Sequence, residues 1–545
     1  MIFDDVFKYI GKYDKYQAVL THIICLVTIA HTMSNIGTVF LNGSMDHYCK
    51  PSDDVITNCT VYECGIEIQV LPQDDDSTAF IDESKCRMYT STEGNDTHVV
   101  KCEHGWNYDQ SQYKSTIVSE FDLVCEDRYK VSIAASSYLF GYFFGSIVFG
   151  TISDYFGRKR GMIIALTMKV VTGTILSISP SYWFYFVFRV LNGATTIGSY
   201  IATFVYVNEI VAPSKRAKVS TICYLYWCIG FLFLALFGFF LRSWRTLYLT
   251  ISLCPIPVIA VYFFIPESPR WLVLQNRQEE AKLILQKIAK KNKKEFPEGF
   301  IEKIQIQQDL HRREWSRKTA IINIFRYPNM RKKSLILIYC WCTVCLAYYG
   351  FLYGVESLDI SVYLGVALSG IIEGLAVCCA LFSIQKFGRR LTLGGLLNAA
   401  GIMCFINIWI PSDMEGIRTA VSLGGQCFVT ATFYLVYIYT SEIFSTDVRS
   451  FGVGLCSLMA RVAGMLAPQI LYLKVVWNPL PLVTFSVTSV SAGLLAFLLP
   501  ETLNFPLCQT VEEAELVTRT TNRRKNRIEV SKSNENQKID ETTTM

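Results

Sequence analysis

An arginine and a glutamate stand inside apolar runs where hydrocarbon would penalise either. Arg461 lies near the middle of SLMARVAGMLAP (457–468), and Glu373 is the lone carboxylate of LSGIIEGLAV (368–377). A charged side chain at the centre of a bilayer costs about 2.5–3.5 kcal/mol on insertion scales. Each must therefore face water, a partner or a ligand. Ser457, Arg461, Gly464 and Pro468 recur at steps of four, three and four, one helical face whose small residues can line water. A guanidinium there holds a carboxylate through two parallel N–H donors. The competing reading is a structural arginine paired with a neighbouring helix.

The elements that carry these residues are membrane spans. The 545-residue chain is 51% hydrophobic and only 18% charged, which excludes a string of soluble domains. Apolar runs near 20 residues, the length that crosses a bilayer core, fall at 18–41, 131–152, 161–179, 183–208, 218–241 and 246–265. Six more follow at 334–354, 361–384, 391–410, 417–440, 450–473 and 480–499. The opening MIFDDVFKYIGKYDKY has no short apolar core ending in a cleavage site, so no removable signal peptide is expected. GRKR (157–160) and the segment 266–333, with 17 Lys/Arg against 8 Asp/Glu, should be cytoplasmic. Segment 42–128, with 6 Lys/Arg against 18 Asp/Glu, should lie outside. The net charge of +5 averages these loops and says little about partners.

That outer loop holds Cys49, Cys59, Cys64, Cys86, Cys102 and Cys125, an even set that suggests three disulfides among fifteen possible pairings. Sequons stand at Asn42, Asn58 and Asn95. A zinc site is the competing reading of clustered cysteines, but tight Cys pairs are lacking and an oxidising compartment favours disulfides. No metal is expected.

The chain repeats itself. SDYFGRKR (153–160) matches IQKFGRRL (384–391), VNEIVAPSKR (207–216) matches TSEIFSTDVR (440–449), and IPES (265–268) matches LPET (499–502), at offsets of 231, 233 and 234. Two homologous six-span halves flanking a cavity suit alternating access by rocking. In the first motif Gly150 is expected to permit close helix approach, Asp154 to cap or pair, and Arg158 and Lys159, after Gly157, to reach a neighbouring helix. Gly388 and Arg389 repeat this in the second half. Glu209 with Arg216, and Glu442 with Arg449, are expected to form a charge network holding the halves together when the cavity faces outward. The bland alternative is that these basic clusters only set topology.

GTISDYFGRKR, FRVLNG (188–193), IPESPRWL (265–272), YTSEIFSTDVRSFGVG (439–454) and LLPET (498–502) resemble motifs of the major facilitator superfamily, specifically its organic cation, carnitine and organic anion transporters. The six-cysteine loop with GWNYD (105–109) and SEFDLVC (119–125) resembles that family too. The likeness covers the chain to about residue 504. It implies an all-α membrane protein of twelve transmembrane helices in two six-helix pseudo-symmetric halves, with a disulfide-rich extracellular loop between helices 1 and 2. The organisation it implies is 1–41 as N-terminus and first span, 42–128 as outer loop and 131–265 as spans two to six. A cytoplasmic linker at 266–333, spans seven to twelve at 334–499 and a cytoplasmic tail at 500–545 complete it.

The family places an acid at position 461 in cation carriers and an arginine in carnitine-type and anion carriers. Glutamate at 373 suits cation and carnitine carriers, and Val377 stands where anion carriers tend to have lysine. Glu373 with Arg461 therefore suits a zwitterion. Gln385 replaces an expected Asp, as in the carnitine-type branch. Trp341 and Tyr348 share a face and match family cavity positions, as do Tyr224, Trp227, Tyr434 and Tyr437; a quaternary ammonium needs such aromatic faces. Packing is the competing reading for each pair. Asn35 matches a carnitine-type Asn that contacts substrate or a coupling ion. Lys169 is a cavity residue or a locally paired one, Arg189 ties span four to a neighbour, and His22 and His31 read as buried or lipid-edge histidines, with a proton relay as the alternative.

Residues 276–295 read as a basic amphipathic helix drawn to anionic lipid, with a solvated helix as the alternative. The polar tail after 504 reads as disordered, and its TTTM end has the look of a PDZ ligand. The expected activity is plasma-membrane carriage of organic cations and zwitterions of carnitine size, with both termini cytoplasmic. An organic anion carrier and a non-transporting sensor on the same scaffold are the rivals. A membrane enzyme is not expected, since the spans show neither an activated nucleophile nor a Walker-type phosphate loop. Small organic ions and the bilayer are the expected partners, with no nucleic acid. Self-association through the outer loop, and a coupling ion (Na+ or H+), are not readable; no cofactor is expected.

Overall fold

A computed structural model describes residues 3–50, 86–91, 97–102, 104–297, 324–357, 360–411, 413–445, 448–503, 508 and 510–516. Helices α1 to α6 span Lys15–Leu41, Tyr129–Phe156, Arg158–Ser177, Tyr182–Glu209, Pro213–Phe240 and Trp244–Tyr262. Helices α7 to α12 span Pro328–Tyr353, Val362–Phe387, Arg389–Trp409, Glu415–Ile443, Arg449–Tyr472 and Leu480–Ala496. Eleven are long and apolar enough to cross a bilayer, and α12, at 17 residues, is a shorter apolar helix. The protein is thus a multi-pass membrane protein. We call the side carrying 42–128 the loop face, and the side carrying 157–160 and 266–297 the basic face.

Local chemistry sets the helix ends. Ser181 and Ser361 accept from the backbone N–H groups of Phe184 and Leu364, and Pro213 and Pro328 open α5 and α7 where a missing N–H costs nothing. Pro255 interrupts α6 by withholding its own N–H. Gly157 and Gly388 join α2 to α3 and α8 to α9 at φ of 104° and 81°, a region that L side chains avoid. Helices α2 and α4 approach until a Cβ at Gly145 would stand 2.3 Å from the Ala194 carbonyl oxygen. Gly150 differs from its expected role: a Cβ there meets nothing within 4 Å. Close approach is set one to two turns earlier in α2.

The halves meet where α2 packs on α11 and α5 on α8. Ser136 Oγ donates to the Met465 carbonyl at 2.7 Å and accepts from Gln469 Nε2 at 3.2 Å.

At the loop face, strand His47–Cys49 pairs antiparallel with Trp106–Tyr108, and Arg87–Ser91 with Thr97–Lys101. Of the fifteen open pairings, two bonds are defined, Cys49–Cys102 and Cys86–Cys125. Because Cys86 and Cys125 are bonded to each other, their grouping with His47 offers a metal no thiolate. Cys59, Cys64, Asn58 and Asn95 lie outside the described residues. Asn42 is 9% exposed and its Nδ2 donates to the Val131 carbonyl at 3.2 Å, so this sequon is closed in this conformation. Burial, then the 2.9 Å bond to Asp122, pushes the Tyr108 phenol above its ordinary pKa. Glu120 fastens the loop to α6 through Trp244 Nε1 at 2.6 Å and Arg245 Nε at 2.8 Å.

At the basic face the amphipathic helix forms over Gln278–Lys291, within the expected 276–295. Its apolar stripe, Ala281, Leu285, Ile288 and Ala289, is covered by Val6, Phe7, Ile10 and Trp271 rather than presented to lipid. Asn292 locks the arrangement by donating to the Ile10 carbonyl (2.8 Å) and Gln17 Oε1 (2.7 Å). Beyond 504, where disorder was expected, Val511–Leu516 is helical, and the Glu515 carboxylate accepts from the Asn329 and Met330 N–H groups at the start of α7 (2.9 and 2.7 Å). The TTTM end lies outside the described residues.

The loop yields a direct check. Digestion of non-reduced protein should release Cys49–Cys102 and Cys86–Cys125 linked peptides; a Cys49–Cys86 or Cys102–Cys125 link would contradict the described strand arrangement.

Candidate functional site

Glu373, midway along α8, is fully buried. Its Oε1 accepts from Tyr348 of α7 at 2.7 Å and its Oε2 from Tyr224 of α5 at 3.1 Å, while the Trp227 side chain faces the same carboxyl. One donor thus comes from each half, and both carboxyl oxygens are satisfied by neutral groups. Tyr224 packs edge-on to Tyr434 at 6.5 Å, and Tyr434 meets Thr221 at 3.4 Å. Tyr348 leans on Phe433 at 5.4 Å, and Trp341 on Tyr437 at 4.3 Å, with the Trp341 N–H bonded to Thr440 Oγ1 at 2.9 Å. Tyr437 is 41% exposed, the open flank of this aromatic group.

Arg461 is half-buried on α11. Its Nη1 donates to the Ser457 carbonyl (3.2 Å) and Oγ (3.0 Å) in its own helix, and its buried Nε has no partner. The phenols of Tyr142, Tyr200 and Tyr349 lie within electrostatic range of its guanidinium. Among the described residues Arg461 and Glu373 form no ion pair, with each other or with any other group, so the structural-arginine alternative has no carboxylate to support it. Asn35 faces Tyr349 and keeps a buried, unpartnered Oδ1. Among the described residues the interior therefore presents a carboxylate ringed by aromatics and, on Arg461, a guanidinium with an unused donor; the Nε of the fully buried Arg189 is likewise without a partner.

Several other buried polar groups make structural bonds. Lys169 Nζ donates to the Ala30 carbonyl at 2.8 Å. Arg189 donates to Tyr248 (2.7 Å) and Thr38 (2.5 Å) and lies 4.2 Å over the Tyr138 ring, tying α4 to α1, α2 and α6 as expected. His31 meets Ser199 at 2.6 Å, and His22 meets Tyr226 at 3.1 Å. A groove of about 470 Å³ between α9 and α12 is lined by Ile402, Phe405, Val487 and Leu494 and touches none of the polar site; its composition is that of a lipid-facing surface.

The repeated motifs build two matching joints at the basic face. Arg158 ion-pairs with Asp154 and donates through Nε to Glu209 at 3.2 Å, and Ser268 Oγ reaches the same glutamate at 2.6 Å. In the second half Arg389 Nη2 meets Glu442 at 2.9 Å and Thr502 Oγ1 at 2.5 Å completes the set. Lys159 Nζ reaches the Phe263 carbonyl at 2.7 Å. Glu209 and Glu442 are thus gripped by Arg158 and Arg389, whereas Arg216 and Arg449 donate to the Asn208 and Phe444 carbonyls. The partners of the glutamates thus differ from those expected, and the Arg158–Glu209 and Arg389–Glu442 pairs each lie within one half, while Arg216 and Arg449 make further contacts besides these carbonyls. The geometry explains it, since the tight glycine turn delivers the arginine beside the end of α4 or α10.

Sequence reasoning missed the residues beneath these turns. Glu267 Oε1 accepts from Lys159 N–H at 3.0 Å, and Glu501 from the N–H groups of Arg389 (2.8 Å) and Arg390 (3.1 Å). Tyr206 and Tyr439 hold the carbonyls of Pro266 and Pro500. The signal was present in IPES and LPET, whose glutamates repeat at the common offset. Tyr363 was also missed: this α8 residue stacks on Phe40 at 5.6 Å, meets Phe239 at 5.7 Å and donates to the Gln112 carbonyl at 2.7 Å, joining the halves near the loop face.

Residues 87–525 match the family described as sugar (and other) transporter, and the chain belongs to it. It is therefore a membrane transporter and not an enzyme. It is 31% identical over 524 residues to the organic cation transporter protein of Drosophila melanogaster, covering 94% of this chain and 95% of that one. Solute carrier family 22 member 1 of Bos taurus is 32% identical over 541 residues, covering 96% and 95%. An inward-open xylose transporter of E. coli shares the fold, with a TM-score of 0.60 at 16% identity over 92% of this chain and all of that one.

Glu501→Ala removes a charged cap from two N–H groups and should lower stability by about 1–2 kcal/mol, read as a lower Tm of the purified protein, with Glu267→Ala behaving likewise. An unchanged Tm would contradict the capping role. Tyr363→Ala should increase labelling by an impermeant thiol reagent of a cysteine placed at Asn35; equal labelling would show that Tyr363 does not close that side.

Proposed function

We propose that this transporter carries small organic cations and zwitterions of carnitine size, the cationic group lodging at Glu373 and a substrate carboxylate at Arg461. The observation that supports this best is the pairing, in one interior, of a carboxylate held only by neutral donors and a guanidinium whose Nε is unused. Phenol donors yield to an ammonium at little cost, because each phenol can turn to water or substrate. Tyr224, Trp227, Tyr348, Tyr434 and Tyr437 offer π-faces to a quaternary head. The names of the organic cation transporter relatives agree with the cationic half of this reading. Glu373 bonds to Tyr224 across the halves, so a cation that takes over the carboxylate also loosens a bond between them. Substrate then binds one arrangement better than another, which is the thermodynamic requirement for driving a rocking cycle.

We place the loop face outside the plasma membrane and the basic face, with both termini, in the cytoplasm, from the charge asymmetry of the loops. The anion-carrier reading rests on Arg461 alone and leaves Glu373 without a role.

Uptake of labelled carnitine, tetraethylammonium and p-aminohippurate in one expression system separates the readings. Carnitine and tetraethylammonium should accumulate; accumulation of p-aminohippurate alone would overturn the proposal. Arg461→Asp should shift the carnitine-to-tetraethylammonium uptake ratio toward tetraethylammonium by about tenfold, the scale of one charged hydrogen-bonded contact. An unchanged ratio at normal surface expression would remove Arg461 from the site.

A further inference from the structure

Two cysteines that the transport reading leaves idle face each other across α1 and α5. Cys25 and Cys223 are both buried, 0% and 3% exposed, and their sulfurs are 2.8 Å apart. A disulfide of about 2.05 Å is reached from there by a shift of less than about 1 Å. A metal bound to both, at about 2.3 Å per sulfur, would hold them nearly 4 Å apart. The spacing therefore favours a bond over an ion. One turn away on each helix, His22 and Tyr226 bridge the same seam at 3.1 Å, and His22 is exposed, so the seam reaches the surface beside the pair.

We infer that Cys25 and Cys223 are an oxidation site, closing to a disulfide that ties α1 to α5 when a small neutral peroxide enters the seam. One sulfur, as thiolate once its proton has left into the seam, attacks a peroxide oxygen; the O–O bond breaks, a sulfenic acid forms, and the released hydroxide takes up that proton as one water. The second sulfur then displaces the sulfenic oxygen as a second water and forms the S–S bond. Two thiols and one hydrogen peroxide give one disulfide and two waters; the sulfurs lose the two electrons that the peroxide oxygens gain. In the proposed orientation the pair lies toward the cytoplasm and is reduced at rest.

The consequence for transport rests on the reading of Glu373 above. Cys223 directly precedes Tyr224, whose hydroxyl bonds Glu373 at 3.1 Å. Pulling the α5 backbone at residue 223 displaces that donor from the cation-binding carboxylate, and sub-ångström displacements at such positions are felt in function.

The experiment treats the full-length protein in native membranes with millimolar hydrogen peroxide, traps residual thiols with N-ethylmaleimide after denaturation, and maps peptides without reduction. A Cys25–Cys223 linked peptide that dithiothreitol abolishes is expected. Recovery of both cysteines as separate maleimide adducts overturns the site, and needs no variant to interpret. In parallel, peroxide should change the KM for labelled tetraethylammonium by about threefold or more in the wild type and leave it unchanged in Cys25→Ala and Cys223→Ala. A linked peptide with an unaltered KM overturns the coupling to the carboxylate. Absence of tetraethylammonium uptake before any oxidation instead counts against the proposed substrate class, while the peptide map still decides the bond.

Discussion

A carboxylate that must stay in a membrane interior without a counter-ion organises this molecule. Among the described residues Glu373 has no arginine or lysine paired with it; its two oxygens are held by phenols, one from α5 of the first half and one from α7 of the second. Hydroxyl donors satisfy the carboxyl oxygens without placing a positive charge beside them, so the position of a cation is left free while the helices stay packed. Tyr224 has to cross the interface to reach it, and the state of the carboxylate is thereby tied to the distance between the halves. Arg461 is the complement, a guanidinium whose bonds stay within α11 and whose Nε points to no protein acceptor.

The outer parts of the fold supply rigid bodies for that central contact to couple. Each half closes its basic face with the same construction: a positive-φ glycine, an arginine gripping the glutamate at the end of α4 or α10, and a second glutamate under the turn. The two carboxylates leave the glycine no alternative, because a Cβ at Gly157 or Gly388 would stand 2.5 or 2.7 Å from the Glu267 or Glu501 oxygen. Bonds made inside each half stiffen it without opposing motion between halves. Among the described residues, contacts between halves include single hydrogen bonds and ring stacks such as Ser136 with Met465 and Tyr363 with Phe40, which break at modest cost.

The spans, the twofold repeat and the polar residues of the interior were legible because hydrophobic length and isolated charge leave traces in a single sequence. Pairing between distant residues was not. Arg216 lies seven residues from Glu209 and was its natural partner on paper, yet the turn at Gly157 brings Arg158 there instead. Gly150 read as a packing glycine because a sequence does not say which face of α2 meets α4. The linker helix carried the amphipathic pattern of a lipid-binding segment, and the N-terminal residues Val6, Phe7 and Ile10 cover it, a contact across some 280 residues that periodicity cannot encode. Glu267 and Glu501 were legible in principle: IPES and LPET repeat at the common offset, and a glutamate recurring at both span ends is a candidate cap for a neighbouring helix start.

The claim that one carboxylate both joins the halves and receives the cation is tested most directly by a double-mutant cycle on purified protein, measuring the Kd of labelled tetraethylammonium for wild type, Tyr224→Phe, Glu373→Gln and the double variant. The account predicts that Tyr224→Phe alters the Kd only while Glu373 is present, a coupling of about 1 kcal/mol. Equal shifts in both backgrounds, additive within about 0.5 kcal/mol, would contradict it.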